Sequence, residues 1–203
     1  MIAYDTSTKH RATGATSDTI SYVATGSNLL MVVTLWSNNN ACTGITYNGV
    51  ALSQLTGSPV SANGAYQSLW YLVAPATGTH DVVISFSTSS TIDSAIGTYS
   101  GVEQSGFPDA SATINLTNQT NYSVALTTVA DNCWLVAGPQ TQTVNDPTAG
   151  ADTVTRQNQA TSNAGLYDSN GAKTPAGSYS LAWTNASANA VAGLIVSFAP
   201  NTS

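Results

Sequence analysis

The feature that most constrains this chain is an internal repeat. Asn28-Leu29-Leu30-Met31-Val32-Val33 has a counterpart in Asn132-Cys133-Trp134-Leu135-Val136-Ala137, 132 − 28 = 104 positions later. Upstream, Thr19-Ile20-Ser21-Tyr22-Val23 answers to Tyr122-Ser123-Val124-Ala125-Leu126. Downstream, Pro75-Ala76-Thr77-Gly78-Thr79-His80 answers to Pro175-Ala176-Gly177-Ser178-Tyr179-Ser180, an offset of 100. Ala95-Ile96-Gly97-Thr98-Tyr99 answers to Ala192-Gly193-Leu194-Ile195-Val196 at an offset near 97. A duplicated unit must satisfy one supersecondary pattern twice. The pseudo-repeats are placed at about 1–103 and 104–203 of the 203 residues.

No window supports a long helix. Alternating and β-branched stretches are broken every 8–12 residues or so by Gly, Asn, Asp or Pro, which is the pattern of a sandwich or barrel. Strands are expected near 2–5, 19–24, 28–37, 43–47, 50–55, 66–74, 80–87 and 94–100, then near 112–116, 122–128, 132–139, 152–157, 164–168, 178–184 and 189–198. Asn48-Gly49 between strand-like residues predicts a two-residue hairpin, because both central positions of that turn need positive φ. Pro75 and Pro175 each precede a strand by two or three residues, where a missing N–H costs no ladder bond. Leu29–Leu35 and Val191–Phe198 are nearly continuous in apolar residues, as central strands are. The fold class expected is all-β: one jelly-roll-like β-sandwich domain over 1–203, built from the duplication, or alternatively two tandem immunoglobulin-like sandwiches. The short junction Gly101–Asp109, without a linker composition, favours the single body. Edge strands are a liability here, because lysines are too few to protect them; loops or other subunits must cover them.

Composition sets limits on partners. Charged residues make up 7% of the chain, against about 25% in ordinary soluble proteins, and Ser, Thr and Asn supply about a third. The surface is therefore hydroxyl and amide. The cations are four, Lys9, Arg11, Arg156 and Lys173, and the net charge is −6. Four cations cannot neutralise a run of phosphates, so nucleic acid is not an expected partner. No polybasic segment or apolar run fits a membrane role either. Residues 1–20 carry Asp5, Lys9, His10, Arg11 and Asp18 and no apolar core of a secretory signal. Two histories fit: a mature segment whose initiator Met was added, or a protein made in a host cytoplasm and released by lysis. Five sequons begin at Asn115, Asn118, Asn121, Asn185 and Asn201; such numbers arise readily in a chain this rich in Asn, Ser and Thr. Cys133 sits in an apolar strand and reads as a small core residue, and Cys42 reads as a loop residue; spacing alone does not place them within bonding distance.

The catalytic inventory is thin. His80 beside Asp81 is the one adjacent acid–histidine pair, and successive strand residues face opposite ways, so it does not form a triad; His80 reads as a water-exposed residue at a strand start. Glu103 and Asp109 are candidates for a two-carboxylate glycosidase site by elimination only. No residues assemble a nucleotide loop or a zinc site. Asp168-Ser169-Asn170-Gly171, and Asp146 with Asp152, resemble oxygen-rich loops but lack the full acidic set of a calcium site, and ordinary turns use the same residues. Trp36, Tyr66, Trp70, Tyr71, Tyr167 and Trp183 are candidates for a sugar-stacking platform. Trp70, Trp134 and Trp183 sit in apolar runs and read as core, leaving Tyr66 and Tyr167 as the exposed pair. No catalytic, cofactor or metal residue is assigned, and the chain reads as a non-enzyme.

Ile45-Thr46-Tyr47-Asn48-Gly49-Val50-Ala51-Leu52, Ser68-Leu69-Trp70-Tyr71-Leu72-Val73-Ala74-Pro75-Ala76-Thr77-Gly78-Thr79-His80 and Thr98-Tyr99-Ser100-Gly101-Val102 form a set, with Thr174-Pro175-Ala176-Gly177-Ser178 later in the chain. As a set they resemble a largely uncharacterised tandem β-sandwich family of bacteriophage virion proteins and bacterial surface proteins. That resemblance spans nearly the whole chain and implies an exposed structural or adhesive role without an active site. The expectation is a phage virion protein on the particle surface, first a capsid decoration protein, with a tail or fibre component next. Its partners would be the major capsid protein or tail components and further copies of itself. The alternatives are a carbohydrate-binding or adhesion module, extracellular and recognising surface glycans, and a self-assembling filament subunit.

Overall fold

A computed structural model describes residues 1–141, 146–158, 160 and 163–202. The chain is an all-β sandwich, with no helix among the described residues. The first half holds β1 (Ala3–Ala24), β2 (Leu30–Ser37), β3 (Cys42–Tyr47), β4 (Val50–Ala51), β5 (Ser53–Gln54), β6 (Val60–Ala62), β7 (Ala65–Val73) and β8 (Gly78–Ser100). The second holds β9 (Ala110–Thr127), β10 (Trp134–Thr141), β11 (Thr148–Ala149), β12 (Val154–Gln157), β13 (Leu166–Asp168) and β14 (Ser178–Phe198). Each half forms one antiparallel sheet. The first runs β4-β3-β8-β2-β7-β5, with β1 on β8 and β6 on β7; the second runs β11-β14-β10-β13-β12, with β9 on β14. The path β3-β8-β2-β7-β5 is thus matched strand for strand by β11-β14-β10-β13-β12.

The ladders correct the offsets read from the sequence. Leu30 faces Tyr99 and Ser37 faces Ile92, while Trp134 faces Phe198 and Thr141 faces Val191. Equivalent positions are therefore 104 apart in β2/β10 and 198 − 99 = 99 apart in β8/β14, not near 97. Tyr22 faces His80 where Leu126 faces Tyr179, so the partner of Tyr22 is Leu126 and that of Ile20 is Val124. The alignment read from sequence is out by one residue there, and a one-residue slip exchanges the two faces of a strand.

Two strands expected at 2–5 and 19–24 are a single one, β1. The pairs 80–87/94–100, 112–116/122–128 and 178–184/189–198 merge likewise into β8, β9 and β14. The polar stretches between them continue the ladders through irregularities. Register shifts fall between Ala12 and Ser17 of β1 and between Thr184 and Val191 of β14. Gly14 and Asn118, 104 apart, both take positive φ, 64° and 56°. Extra residues of this kind bend a strand sharply, so each long strand leaves one layer and enters another. The stretch expected at 50–55 splits into β4 and β5, because its first residues pair with β3, with Leu52 N–H still donating to Ile45 O, while Ser53 and Gln54 pair with β7. β6 and β11 are short strands with no sequence signal.

Bending creates four layers and three cores. In the first half an outer leaf (β4, β3 and the bent-over parts of β1 and β8) packs Ile20, Tyr22, Ile45, Tyr47, Val82 and Ile84 against Met31, Val33 and Leu35 of β2. The second half repeats this with Tyr122, Val124, Leu126, Leu181 and Trp183 over Leu135, Ala137, Val191 and Ile195. Between the inner leaves lies a shared core that includes Leu30, Val32, Leu69, Tyr99, Trp134, Val136, Leu166, Leu194, Val196 and Phe198. Alternate residues of β2 and β10 thus enter different cores, and both strands are buried along their whole length. That is why the runs at 29–35 and 191–198 lack the alternation of a half-wet strand.

The inner leaves approach closely at two glycines. A Cβ on Gly138 would lie 2.5 Å from Thr34 Cγ2, and one on Gly97 would collide with Leu166 Cδ2. The hairpin is as expected: Tyr47 pairs with Val50, and Asn48 and Gly49 have φ of 49° and 75°. A Cβ at Gly49 meets nothing within 4 Å, so backbone strain alone resists substitution. Gly49→Val is expected to destabilise the protein by about 1 kcal/mol or more; an unchanged melting temperature would remove this turn assignment.

Candidate functional site

All four cations are engaged in structural contacts. Arg156 Nε and Nη2 donate to Asp168 at 2.6 and 3.1 Å, a two-pronged pair with a carboxylate of zero exposure. The guanidinium also lies 4.1 Å from the ring centre of Tyr4 and donates to Asn170 Oδ1. Tyr99, from the first half, donates its hydroxyl to the same carboxylate at 3.1 Å. Burial, then the negative Asp168, hold the Tyr99 phenol well above its usual range. Lys9 donates to Asn158 Oδ1 at 2.7 Å and Ala160 O at 2.9 Å, across the seam where β1 meets the end of β12. Asn115 closes the opposite seam by donating to Ser61 O of β6 at 2.6 Å. Arg11 reaches Asp93 at 3.4 Å, and Lys173 reaches Asp152 at 3.6 Å. Burial raises the Asp93 carboxyl, although the Asn163 N–H and Arg11 work against it.

The oxygen-rich loops therefore resolve as structural turns. Asp168 is occupied by Arg156 and also accepts the Asn170 N–H at 2.8 Å. Asp146 accepts from Asn158 Nδ2, and Asp152 faces Lys173. Among the described residues no three His, Cys, Asp or Glu side chains gather around a metal-sized space.

Glu103 and Asp109 serve separate turns. Glu103 accepts from Gln104 N and Ser105 Oγ. Asp109 accepts from Val129 N at 2.9 Å, Ala130 N at 2.8 Å and Ser197 Oγ at 2.8 Å. Asp5, 104 positions earlier, does the same work by binding Thr25 N at 2.9 Å and Thr98 Oγ1 at 2.7 Å. Extending the repeat offset back from Asn28 and Asn132 would have found this pair of aspartates. Burial acts to raise the Asp109 carboxyl, but the Val129 N–H, Ser197 hydroxyl and Ala130 N–H outweigh it and hold it below the usual carboxylate range. A carboxyl lowered in the fold contributes stability above its unfolded value, near 4, and loses it as pH falls through the folded value. Asp109→Ala is expected to cost about 1–3 kcal/mol at neutral pH and to flatten the loss of stability below about pH 4. Parallel wild-type and variant acid profiles would show that this carboxylate is not the group responsible.

His80 is half-buried rather than water-exposed. Its Nε2 lies 3.1 Å from Thr77 O and its ring stands edge-on to Tyr47, centroids 5.6 Å apart. Cys42 is the first residue of β3 rather than a loop residue. Both cysteines are free and buried; burial pushes Cys42 to about 11, and burial with the nearby Asp109 pushes Cys133 to about 12, so both remain neutral thiols.

Of the two tyrosines expected to be exposed, Tyr167 is not. Tyr167 has zero exposure and meets Trp183 edge-on at 5.4 Å. Its small and polar neighbours point to an exposed side chain, but the strand expected there, β13, is buried throughout. Trp36, Trp70, Trp134 and Trp183 are all buried. Tyr66 and Tyr71 are half-buried, Tyr71 lying against Phe107 at 4.3 Å. Of the sequons, Asn185 is buried; Asn115, Asn118 and Asn121 are exposed. Ser203, which completes the Asn201 sequon, lies outside the described residues.

The surface that carries the most information is formed by the outer leaves. In the second half, Asn121, Ser123, Ala125 and Thr127 of β9 alternate outward beside Thr184, Ala182, Ser180 and Ser178 of β14, with no charge among them. In the first, Ser17, Thr19, Ser21 and Val23 of β1 lie beside Ser85, Val83, Asp81 and Thr79 of β8. Here β1 and β9 are the last strands of their leaves. A polar cleft of about 460 Å³ lies elsewhere, lined by Asn63, Thr117, Asn118 and Asn189 among others. No protein-family model and no curated protein sequence matches this chain.

Proposed function

We propose that this protein is a structural subunit of a bacteriophage virion, exposed on the particle and acting first as a capsid decoration protein. The observation that carries the reading is the outer leaves: two hydroxyl-rich sheets whose last strands, β1 and β9, each have one side without a ladder partner among the described residues. Of the carboxylates considered as sites, Glu103 and Asp109 hold turns and Asp168 holds Arg156. Such a body stabilises a shell passively, because many copies each repeat a modest interface. An acidic surface with its cations already engaged also suits a position outside a particle rather than against its nucleic acid.

The test is mass spectrometry of purified virus particles from the source culture, with copy number. Chymotrypsin is the protease of choice, because four basic residues give few tryptic peptides. Hundreds of copies per particle are expected of a decoration protein; a few to a few tens would move the assignment to tail or fibre, and absence from particles would overturn the virion reading. A second reading rests on the cleft at Asn63, Thr117, Asn118 and Asn189. Amide and hydroxyl groups there suit sugar hydroxyls, and saturable binding on a glycan array would support an adhesion module.

A further inference from the structure

We infer that the protein assembles with further copies of itself through the outer-leaf edges of β1 (residues 17–24) and β9 (residues 121–127). The inference rests on the structural-subunit reading and names the contact through which such a subunit would act.

Three observations converge on these edges. Residues 17–24 pair only with β8 and residues 121–127 only with β14, so one side of each carries backbone donors and acceptors with no ladder partner among the described residues. Only another extended backbone satisfies such a row in register, which makes the occupant a strand. Several of the usual protections are missing: neither segment holds Lys or Pro, and the register irregularities of β1 and β14 lie before these segments or beyond them, although β1 keeps one inward-pointing charge, Asp18. Finally, one of the few large hydrophobics exposed to solvent lies in the β1 edge itself. Apart from Met1, the large hydrophobics most open to solvent among the described residues are Val23, Val50 and Val129, at 45%, 53% and 75% exposure. Val23 lies in the β1 edge, Val129 two residues past the end of β9, and Val50 in β4 at the far edge of the same leaf as β1.

The chemistry selects a second copy as the partner. Outward side chains of the two edge strands themselves are small and uncharged, so apposed edges bring no like charges directly together; Asp81 lies one strand further in, on β8. Asp18, the one carboxylate in residues 17–24, is buried and bonded to His10 at 2.8 Å. The edges belong to different halves, so each copy has two, and pairing continues from copy to copy instead of closing at a dimer.

The experiment is sedimentation velocity of the wild-type chain over a wide concentration range, beside Val23→Lys, Ala125→Lys and the double variant. Both positions are exposed, and circular dichroism checks that each variant keeps the β fold. Species larger than dimers are expected from the wild type, none larger than a dimer from either single variant, and monomer from the double variant. A wild type that stays monomeric at every concentration overturns the inference, as does a double variant that assembles like the wild type. Failure here is separable from failure of the virion assignment: assembly in solution by a protein missing from particles sinks only the latter, and a strict monomer found in hundreds of copies per particle sinks only the former.

Discussion

Asp168→Ala is expected to destabilise the protein by about 3–5 kcal/mol, the cost of removing one partner from a buried ion pair. The carboxylate has zero exposure and accepts from Arg156 twice, from the Tyr99 hydroxyl and from the Asn170 N–H. Alanine leaves a guanidinium that is only 15% exposed without its counter-charge. It also strands the Tyr99 hydroxyl inside the shared core. Arg156→Met removes the opposite partner and leaves the carboxylate buried and unpaired, so a loss of similar size is expected. The double change Asp168→Leu with Arg156→Met should recover much of it, because an apolar pair of similar volume carries no desolvation penalty. Urea unfolding of the wild type, Asp168→Leu, Arg156→Met and the double variant gives the coupling directly, with Asp168→Ala measured beside them. A loss below about 1 kcal/mol for Asp168→Ala would mean that water reaches the pair and that its burial is overstated.

This network shows where sequence reading stops. Asp168-Ser169-Asn170-Gly171 is composed like a turn or a cation loop, and nothing local distinguishes those from a carboxylate held by an arginine 12 positions away and a tyrosine from the other half. What could be read was the periodic part. The apolar runs at 29–35 and 191–198 were assignable to central strands because burial on both faces leaves no polar alternation. Asn48-Gly49 was assignable because its turn depends on two residues alone. The middle of β1 was not, since Thr6–Ser17 is polar and includes Gly14; its extended form comes from pairing with β8, a long-range contact that local propensity does not report. Tyr167 misled for a related reason. Its neighbours are small because the inner leaves lie close together, not because the segment is in water. The candidate surface was legible only as a shortage of lysine. Which edges stay open depends on where the long strands bend, and those bends lie in the polar stretches that carry the weakest signal.

Trp134→Ala is expected to cost about 3–5 kcal/mol, as truncation of a buried aromatic does, and to do so for both halves at once. Trp134 begins β10 in the second half, yet it meets Tyr99 of the first edge-on, with centroids 5.9 Å apart. Its neighbours in the shared core include Leu30, Val32 and Leu69 from the first half and Leu194, Val196 and Phe198 from the second. Neither inner leaf can expose that face to water without losing most of this burial, so the two halves should unfold together. The wild type should therefore give one calorimetric transition whose van't Hoff and calorimetric enthalpies agree. The variant should move that transition down without splitting it. A probe confined to the first half, such as Trp36 fluorescence with the other tryptophans replaced by phenylalanine, should follow the same midpoint as circular dichroism. Two transitions, of which the substitution shifts only the later-encoded half, would mean that each outer core suffices for its own half and that the interface between inner leaves is only a docking contact. One shared transition would mean that the repeat cannot be cut at its junction, because the face that each unit leaves uncovered is the face the other one buries.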